Sequence, residues 1–350
     1  MLEHVDLHGY RAFCFRGEGR CNIVISAKGR IDNSRIVWRL AKKRPRLVNI
    51  NSNELHHLAK IPSLPKNHKI EDFNELISYP TEVSRFPYKS NNCVRTVLAL
   101  EMPDATRIPR SISYYFGPTI TLEIKPKQGF FQTHPGVDIP FCNNCILQIE
   151  KWKSANFSSM YDYCPLDLYS GVRSKMEFAL ASLIYDPHRN LRIFVDGNSV
   201  HDDSNSPENF DEKELSELLF PNIPNANIQI FIKTKELQKK SNLLDRRLDF
   251  LSKEDARSLV ERYLLSATMK DCSLMISIRL VDRTVAINEN TDFVRVRALN
   301  GQTLYFAFSV RIVDLDPKTG KNLVSAYSRF MAGISLIRAN PNVHRSCITY

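Results

Sequence analysis

YRAFCFRGEGRCNIVIS, residues 10–26, is the stretch from which the fold class of this chain can first be inferred. Aromatic and β-branched residues stand on both sides of Gly17 and Gly19, a pattern that predicts a strand, a glycine turn and a second strand. RIVWRL, residues 35–40, predicts a third strand, and CVRTVLALEMPD, residues 93–104, predicts a fourth that ends in a proline turn. These segments predict a small, mostly β N-terminal lobe built on an antiparallel sheet.

TLEIKPKQGF, residues 121–130, predicts the last strand of this lobe and a charged end to it. In an extended chain Glu123, Lys125 and Lys127 point to the same side, away from their apolar neighbours. Pro126 cannot donate to a sheet ladder, so this is either an edge strand or the last rung of a strand, where side chains can meet a ligand. For a single lysine, a solvated strand end is the alternative interpretation.

The second part of the chain changes to helical periodicity. Helices are predicted in PFCNNCILQIEKW, residues 140–152, and in SGVRSKMEFALASLIYD, residues 170–186, with Ser170 as a candidate cap. Ser252 and Asp255 form a capping box for a further helix. We therefore predict an α+β protein with an N-terminal lobe, residues 1–130, and a larger mixed α/β C-terminal lobe, residues 131–350.

The composition limits the class of protein and of partner. Of the 350 residues, 43% are hydrophobic and 25% are charged, as in globular proteins, and no apolar run of about 18 residues predicts a membrane span. MLEHVDLHGY, residues 1–10, lacks the basic and apolar regions of a signal peptide, so we expect an intracellular protein, in the cytoplasm or nucleus, with its eight cysteines reduced. The net charge of +10 favours an anionic partner: nucleic acid, a lipid headgroup or a polyphosphate.

Two aspartates flank predicted strands late in the chain. Asp271 stands at the start of SLMISIRL, and Asp314 stands at the end of LYFAFSVRIV. If the two strands pair as antiparallel neighbours, the carboxylates come together. Mg²⁺ takes one or two carboxylates and completes its shell with phosphate and water, so the pair is a candidate magnesium site. Taken singly, either aspartate has a turn or cap role as its alternative.

The order of motifs in the first lobe matches that of the N-terminal lobe of a protein kinase. A glycine turn between two strands is followed by Arg39 on the next strand, where protein kinases carry a phosphate-binding lysine. EMPD, residues 101–104, then takes the place of the hinge that meets adenine. Together with the late aspartates, this order predicts ATP-dependent phosphoryl transfer.

FCNNC places Cys142 and Cys145 at a zinc-ligand spacing. The sequence shows no second CxxC or HxxxH pair to complete four ligands, so a metal site is not predicted there.

Six motifs together resemble one enzyme family. RGEGRCN, EIKPKQGF, CPLDLYSG, LRIFVDG, KDCSLMI and the late DLD occur in the order found in the inositol-pentakisphosphate 2-kinase family. The resemblance implies a two-lobed, kinase-like fold with the active site between the lobes. It implies transfer of the ATP γ-phosphate to the 2-hydroxyl of inositol pentakisphosphate, which gives inositol hexakisphosphate (phytate).

The resemblance also implies roles for individual residues. Asp271 would be the catalytic base and, with Asp314, a Mg²⁺ ligand. The implied nucleotide-binding residues are Gly17, Glu18, Gly19, Arg20, Asn22, Arg39, Asp104 and Glu123. The implied residues for the inositol phosphates are Arg44, Arg85, Lys125, Lys127, Lys151, Asn190, Arg192 and Lys318.

The chain departs from the family pattern at a few positions. Leu147 replaces a common histidine, Arg189 replaces a common asparagine, and the basic segment after Asp316 is short. These departures leave open an alternative, a protein of the same fold that binds inositol polyphosphate without turnover. Net charge alone supports a nucleic-acid-binding protein, and no recognition motif for nucleic acid is found. We expect a monomer.

Overall fold

A computed structural model describes residues 7–18, 22–32, 34–41, 69–70, 99–108, 115–131, 139–156, 160, 162–202, 252–284, 293–297, 300–315, 318–340 and 347. The chain divides into two units, Met1–Ile112 and Ser113–Tyr350. Each unit contains one antiparallel sheet, and the helices of four or more residues all lie in the second unit among the described residues. The predicted α+β class is confirmed.

The first unit is built on a five-stranded sheet in the order β4-β1-β2-β3-β5. Its strands are β1 (Tyr10–Glu18), β2 (Asn22–Gly29), β3 (Arg35–Ala41), β4 (Lys69–Ile70) and β5 (Ala99–Pro103), preceded by a 3-10 turn at Leu7–Gly9. The strands predicted on both sides of the glycine turn, and the two that follow, are therefore present.

Trp38 of β3 anchors the buried face of this sheet. Its Nε1 donates to Oε2 of Glu101 on β5 at 2.8 Å, and the ring of Tyr10 packs edge-on at 4.9 Å between centroids. Its register partner on β2, Ile25, is fully buried. Because side chains alternate along a strand, the adjacent Arg39 lies on the opposite face of the sheet.

The second unit is built on a six-stranded antiparallel sheet in the order β10-β11-β9-β6-β7-β8. Its strands are β6 (Tyr115–Ile124), β7 (Leu191–Val195), β8 (Asn198–His201), β9 (Ser273–Val281), β10 (Phe293–Arg297) and β11 (Thr303–Val313). The predicted pairing of the two strands beside Asp271 and Asp314 is confirmed, since Val313 of β11 pairs with Ser273 of β9.

A domain boundary after residue 130 is predicted from the sequence, whereas the chain divides after Ile112. The reason is that β6 pairs with β7 on one side and with β9 on the other, so it is a central strand of the second sheet. Pro126 follows the last residue of this strand, Ile124, as predicted. The EIKPK motif therefore belongs to the same unit as the late aspartates.

Five helices are described in the second unit. They are α1 (Asn143–Lys153), α2 (Pro165–Leu168), α3 (Arg173–Tyr185), α4 (Lys253–Asp271) and α5 (Gly320–Ala339). One apolar core joins α2 and α3 to the sheet through Leu168, Leu183 and Ile193. A second core joins α1 to α5 through Ile146 and Ile334. None of these described helices has the length and apolar character needed to cross a membrane.

The helix ends differ in part from expectation. Ser252 caps α4 as predicted, because its Oγ accepts the backbone N–H of Asp255 at 3.1 Å. Ser170 does not cap α3, since the helix begins at Arg173 and Ser170 Oγ accepts the N–H of Val172 in the preceding turn. Asp271 is the last residue of α4 and not the first of β9, which begins at Ser273.

Candidate active site

The loop that follows β6, residues 125–130, is held tightly by its neighbours. The N–H of Lys125 donates to the carbonyl oxygen of Asn190 at 2.7 Å, which extends the strand pairing by one rung. The hydroxyl of buried Tyr163 donates to the carbonyl oxygen of Pro126 at 2.7 Å. Gly129 packs so closely against Tyr169 that a Cβ there would lie 2.2 Å from the ring. Tyr163 and Tyr169, which lie just before and within the CPLDLYSG segment, therefore hold this loop in place.

Two residues at the ends of β6 and β11 have left-handed backbone conformations. Lys127 has φ of 61° and Asp314 has φ of 65°. Such values are uncommon for residues other than glycine and concentrate at functional sites, where the surrounding structure maintains them. In this protein, the Lys127 side chain pairs with Asp271 and the Asp314 side chain pairs with Lys125.

A cluster of lysines surrounds the two aspartates. Lys125 Nζ lies 2.9 Å from Oδ2 of Asp314. Lys127 Nζ lies 3.2 Å from Oδ1 of Asp271, and Lys318 Nζ lies 2.6 Å from Oδ2 of the same residue. The structure thus brings together five residues that the sequence predicts for the site, although their positions in the chain range from 125 to 318. We call these residues the charged cluster.

The charged cluster keeps the carboxylate of Asp271 ionised. Burial alone would raise the pKa of Asp271, but the charge of Lys127 and the hydrogen bond from Lys318 outweigh burial and lower its pKa to about 2. Burial also opposes the charged form of Lys125, yet its hydrogen bond to Asp314 leaves the pKa of Lys125 above the ordinary value. At neutral pH this part of the site consists of full charges.

The pKa values of two lysines, Lys127 of the charged cluster and Lys151 on α1, are lowered. Burial, followed by the charges of Lys125 and Lys318, lowers the pKa of Lys127 despite the opposing attraction of Asp271. Burial, followed by the charges of Lys127 and Arg329, lowers the pKa of Lys151 on α1 to about 8. Crowded cations with lowered pKa values indicate a site that would be stabilised by an anion.

The end of α4 is fixed by contacts that the sequence analysis does not anticipate. Lys270, the neighbour of Asp271, places its Nζ over the ring of buried Phe130 at 5.1 Å from the centroid. The N–H of Lys318 donates to Oγ1 of Thr268 at 3.4 Å. These contacts link α4, the loop after β6 and the segment before α5, so they position the charged cluster. A cation–π contact between distant residues has no local sequence signal.

The remaining predicted residues of the second unit lie along β6 and β7. Glu123 Oε1 accepts the hydroxyl of Ser273 at 2.8 Å, and its Oε2 lies 3.8 Å from Nη1 of Arg192. Glu123 and Arg192 are register partners across the two strands. Asn190 is buried immediately before β7 and contacts Lys125 through its backbone. These residues lie beside the charged cluster. In the described contacts, they take no part in its ion pairs.

The predicted nucleotide residues of the first unit are described in part. Arg39 is half-buried on β3, and Asp104 is buried directly after β5. Asp104 Oδ1 accepts the N–H of Thr106 at 2.9 Å, and its Oδ2 lies 3.6 Å from Nε of Arg107, so this carboxylate stabilises its own turn. The nucleotide roles of both residues stay predictions.

Other predicted residues receive no side-chain description. Gly17, Glu18 and Asn22 lie at the facing ends of β1 and β2. Gly19, Arg20, Arg44 and Arg85 lie outside the described residues.

Among the described residues, two groups could hold a metal ion. Asp271 and Asp314 supply the hard carboxylate oxygens that Mg²⁺ prefers, and the lysine ammonium groups beside them show that this pocket accommodates positive charge. The second group is a sulfur cluster formed by Cys142, Cys145, Cys164 and Cys347.

The sulfur cluster has the composition of a closed zinc site. Its four sulfur atoms all lie within 4.8 Å of one another, and those of Cys142 and Cys164 are 3.9 Å apart. Four thiolates at 2.3 Å from a tetrahedral zinc would be separated by about 3.8 Å. Cys142 and Cys145 are recognisable from the CxxC spacing, but their partners are isolated cysteines far along the chain. The expectation that this CxxC lacks partners is therefore wrong.

Comparisons with known proteins identify relatives. A family model described as inositol-pentakisphosphate 2-kinase matches residues 88–242 and 231–329. The inositol-pentakisphosphate 2-kinase of Danio rerio is 35% identical over 133 residues, which are 36% of this chain and 27% of that protein. The enzyme of that name from Drosophila melanogaster is 31% identical over 154 residues, 35% of this chain and 24% of that protein. The one from Arabidopsis thaliana is 25% identical over 266 residues, 60% of this chain and 58% of that protein. The chain thus spans less than two thirds of the length of each of these relatives.

Proposed function

Since the chain belongs to the inositol-pentakisphosphate 2-kinase family, we propose that it transfers the γ-phosphate of ATP to the 2-hydroxyl of inositol 1,3,4,5,6-pentakisphosphate. The product would be inositol hexakisphosphate, phytate. The observation that carries this proposal is the charged cluster, in which Lys125, Lys127 and Lys318 surround Asp271 and Asp314.

The substrate explains why so many cations crowd one site. Each phosphomonoester carries roughly −1.5 to −2 charges at neutral pH, so five of them on one ring require several cations. Burial and neighbouring positive charges lower the pKa values of both Lys127 and Lys151. Bound phosphates would relieve the repulsion between these ammonium groups. We assign Lys125, Lys127, Lys151, Asn190, Arg192 and Lys318 to the inositol phosphates, with Arg44 and Arg85 as further predicted contacts.

Asp271 is suited to receive the proton of the attacking hydroxyl. The oxygen of the 2-hydroxyl attacks the γ-phosphorus, the bond to the bridging oxygen of ATP breaks, and ADP leaves with that oxygen. The hydroxyl proton passes to a carboxylate oxygen of Asp271 and then to solvent. Its low pKa makes it a weak base, but phosphoryl transfer proceeds through a loose transition state in which positioning and charge stabilisation dominate.

Asp271 and Asp314 would hold Mg²⁺. When bound, the ion would neutralise the negative charge that develops on the phosphates during transfer. The lysines that now pair with the two carboxylates are then available to the phosphates of the inositol.

The first unit is proposed as the nucleotide-binding lobe of a two-lobed, kinase-like protein. Arg39 projects from a central strand of its sheet, as a phosphate-binding cation of a kinase does. The glycine turn from Gly17 to Asn22 and the turn at Asp104 would complete the part of the nucleotide site that this unit supplies. We further propose a monomer that acts in the cytoplasm or nucleus.

The activity can be tested with labelled ATP, Mg²⁺ and a panel of inositol tetrakis- and pentakisphosphates, with the products separated by anion exchange. Formation of inositol hexakisphosphate by the wild-type protein, and none by Asp271→Asn, is the expected result. Equal label transfer by both proteins, or no transfer to any inositol phosphate, would contradict the proposal.

One observation favours a second candidate, a non-catalytic binder of inositol polyphosphate. Both carboxylate oxygens of Asp271 are already occupied by ammonium groups, and Leu147 and Arg189 depart from the family pattern. Calorimetric binding of inositol pentakisphosphate without any product in the labelled assay would select this candidate.

A further inference from the structure

The close contact between α1 and α5 determines which charged residues meet beside the cluster. Gly333 of α5 lies against Ile146 of α1, and a Cβ at Gly333 would be 2.5 Å from Cγ2 of Ile146. One turn away along each helix, Arg329 meets Glu150. Its Nη2 donates to Oε2 of Glu150 at 2.6 Å, and its Nε donates to the same oxygen at 3.2 Å. The guanidinium is therefore held by one edge.

Glu150, the partner of Arg329, directly precedes Lys151 on α1, and Lys151 is one of the proposed phosphate ligands. The charge of Arg329 is among the causes that lower the pKa of Lys151, after burial and the charge of Lys127. Lys127 is itself paired with Asp271. Arg329 thus places a guanidinium from α5 against α1, at a position that the sequence motifs do not identify.

A purely structural role explains the pair poorly. The side chain of Arg329 is 42% exposed, and ion pairs with an exposed partner contribute little to stability. The two helices are already joined by buried Phe330, Ile334 and Ile337, which pack with Ile146 in one core. An arginine is not needed to hold this interface. Among the described residues, Glu150 alone accepts hydrogen bonds from the guanidinium.

We infer that Arg329 is a further phosphate-binding residue of the substrate site, acting on the same phosphate group as Lys151, an inference that rests on the proposed function. A planar guanidinium can keep one edge on the Glu150 carboxylate while its other N–H groups donate to a phosphate oxygen. Glu150 acts as a positioning residue that orients the guanidinium. The phosphate that meets both cations contributes more to recognition than one that meets a single lysine.

The first test is calorimetric binding of inositol pentakisphosphate to wild type, Arg329→Ala and Arg329→Lys. A charge-assisted hydrogen bond corresponds to a loss of roughly 10- to 150-fold in affinity for the alanine variant. The lysine variant should recover part of the loss, because it restores charge without the fork. Arg173→Ala is the matched control, since Arg173 forms a similar exposed pair with Glu177 on α3. Its affinity should equal that of wild type.

The second test identifies the phosphate. Inositol tetrakisphosphates that each lack one phosphate are compared between wild type and Arg329→Ala. For one isomer the two proteins should bind equally, because the group that Arg329 contacts is missing. Losses that are equal for every isomer would overturn the inference. Thermal melting of each variant distinguishes a loss of phosphate contacts from unfolding. If Arg329→Ala melts at a lower temperature than wild type, Arg329→Gln is used in its place.

Glu150→Gln distinguishes binding from a structural tie. If Arg329 binds phosphate, this variant should retain affinity within about threefold, because the amide oxygen still accepts from the guanidinium. If Arg329→Ala and Glu150→Gln lose affinity and stability equally, the Arg329–Glu150 pair is only structural and the inference is wrong. Absence of any inositol polyphosphate binding by wild type would instead refute the proposed function. Binding by wild type with no difference between Arg329→Ala and Arg173→Ala would refute this inference alone.

Discussion

Lys127 and Asp271 form an ion pair of 3.2 Å between the loop after β6 and the last residue of α4. Lys127 reaches its partner from a left-handed backbone conformation, with φ of 61°. The conformation is maintained by Tyr163 and Tyr169, which hold the residues on either side of it. The pair is thus set by a supported backbone turn and not by a freely moving side chain.

Asp271→Asn should abolish transfer while the protein remains folded. An amide cannot accept the hydroxyl proton and is a poor ligand for Mg²⁺, so both proposed roles are lost. The measurement is kcat with saturating ATP and inositol pentakisphosphate, together with a thermal melt. Glu261→Gln, an exposed carboxylate on the same helix, is the control and should retain wild-type turnover. Near-normal turnover by folded Asp271→Asn would remove this residue from the mechanism.

Lys127→Ala should reduce kcat/KM for inositol pentakisphosphate by roughly 10- to 150-fold, the effect of one charge-assisted hydrogen bond. Lys125→Ala should show a loss of similar size. The KM for ATP should change less, because both lysines are assigned to the inositol phosphates. Lys253→Ala, at the exposed start of α4, should match wild type. If the double variant Lys125→Ala/Lys127→Ala keeps its kcat/KM, the substrate binds elsewhere.

The affinity for inositol pentakisphosphate should fall as pH rises above about 8. The pKa of Lys151 is lowered to about 8 by burial and by the charges of Lys127 and Arg329, with weaker opposition from Glu150 and Asp271. Below that pH the ammonium is already charged. Above it, binding must take up a proton, so Kd increases by at most about tenfold per pH unit from this group.

The test is calorimetry between pH 7 and 9.5 on wild type and Lys151→Arg. Arginine stays charged throughout, so the variant reports the titration of the ligand and of all other groups. The wild-type curve should be steeper than the variant curve above pH 8. Identical slopes would show that Lys151 does not bind the substrate in its charged form.

The proximity of the two aspartates of the charged cluster could be predicted from the sequence, because strand patterns indicate where strands end. The place of Lys318 in the cluster followed only from the family resemblance. The apolar runs before Asp314 and after Asp271 suggested antiparallel partners, and the register of Val313 with Ser273 confirms this. The assignment of Asp271 to the start of a strand was wrong, because Asp271 is the last residue of the preceding helix, α4. Its helix continues to the edge of the sheet, and helical periodicity does not mark the last turn reliably.

Contacts between distant segments could not be predicted in this way. Phe130 and Lys270 meet only because the loop after β6 passes the end of α4. Pro126 is compatible with an edge strand, yet β6 lies between β9 and β7 in the second sheet. Periodicity reports which face of an element is apolar, and it does not report which neighbour covers that face. The difference between the boundary expected after residue 130 and the division after Ile112 has the same cause.

Gly129→Ala should destabilise the second unit and reduce activity. The added methyl group would lie 2.2 Å from the buried ring of Tyr169, and overpacking of this kind costs about 1–3 kcal/mol. Relief requires the loop to move, which displaces Lys127. Chemical denaturation and kcat/KM measure the two effects. Gly9→Ala, where a Cβ meets nothing within 4 Å, should be neutral, and equal stability of both variants would contradict the packing described here.

The last prediction concerns the sulfur cluster. Cys142 and Cys145 lie at the start of α1, Cys164 precedes α2, and the N–H of Cys347 donates to the carbonyl oxygen of Pro140 at 2.8 Å. A metal held by all four would join a segment near the C-terminus to the helix that carries Lys151. We expect purified protein to contain one equivalent of zinc, since four thiolates in tetrahedral reach suit that ion and leave no open position.

Cys145→Ser should therefore lower both the zinc content and the melting temperature. Metal binding is coupled to folding, so a loss of about 2 kcal/mol would lower Tm by roughly 4–8 °C for a unit of this size. Cys14→Ser, a half-buried cysteine of the first unit, is the control and should leave zinc content unchanged. A chelator should lower the Tm of wild type toward that of Cys145→Ser and should not affect the variant. Zinc-free wild type with an unchanged Tm would show that the four cysteines are a buried thiol cluster without a metal role.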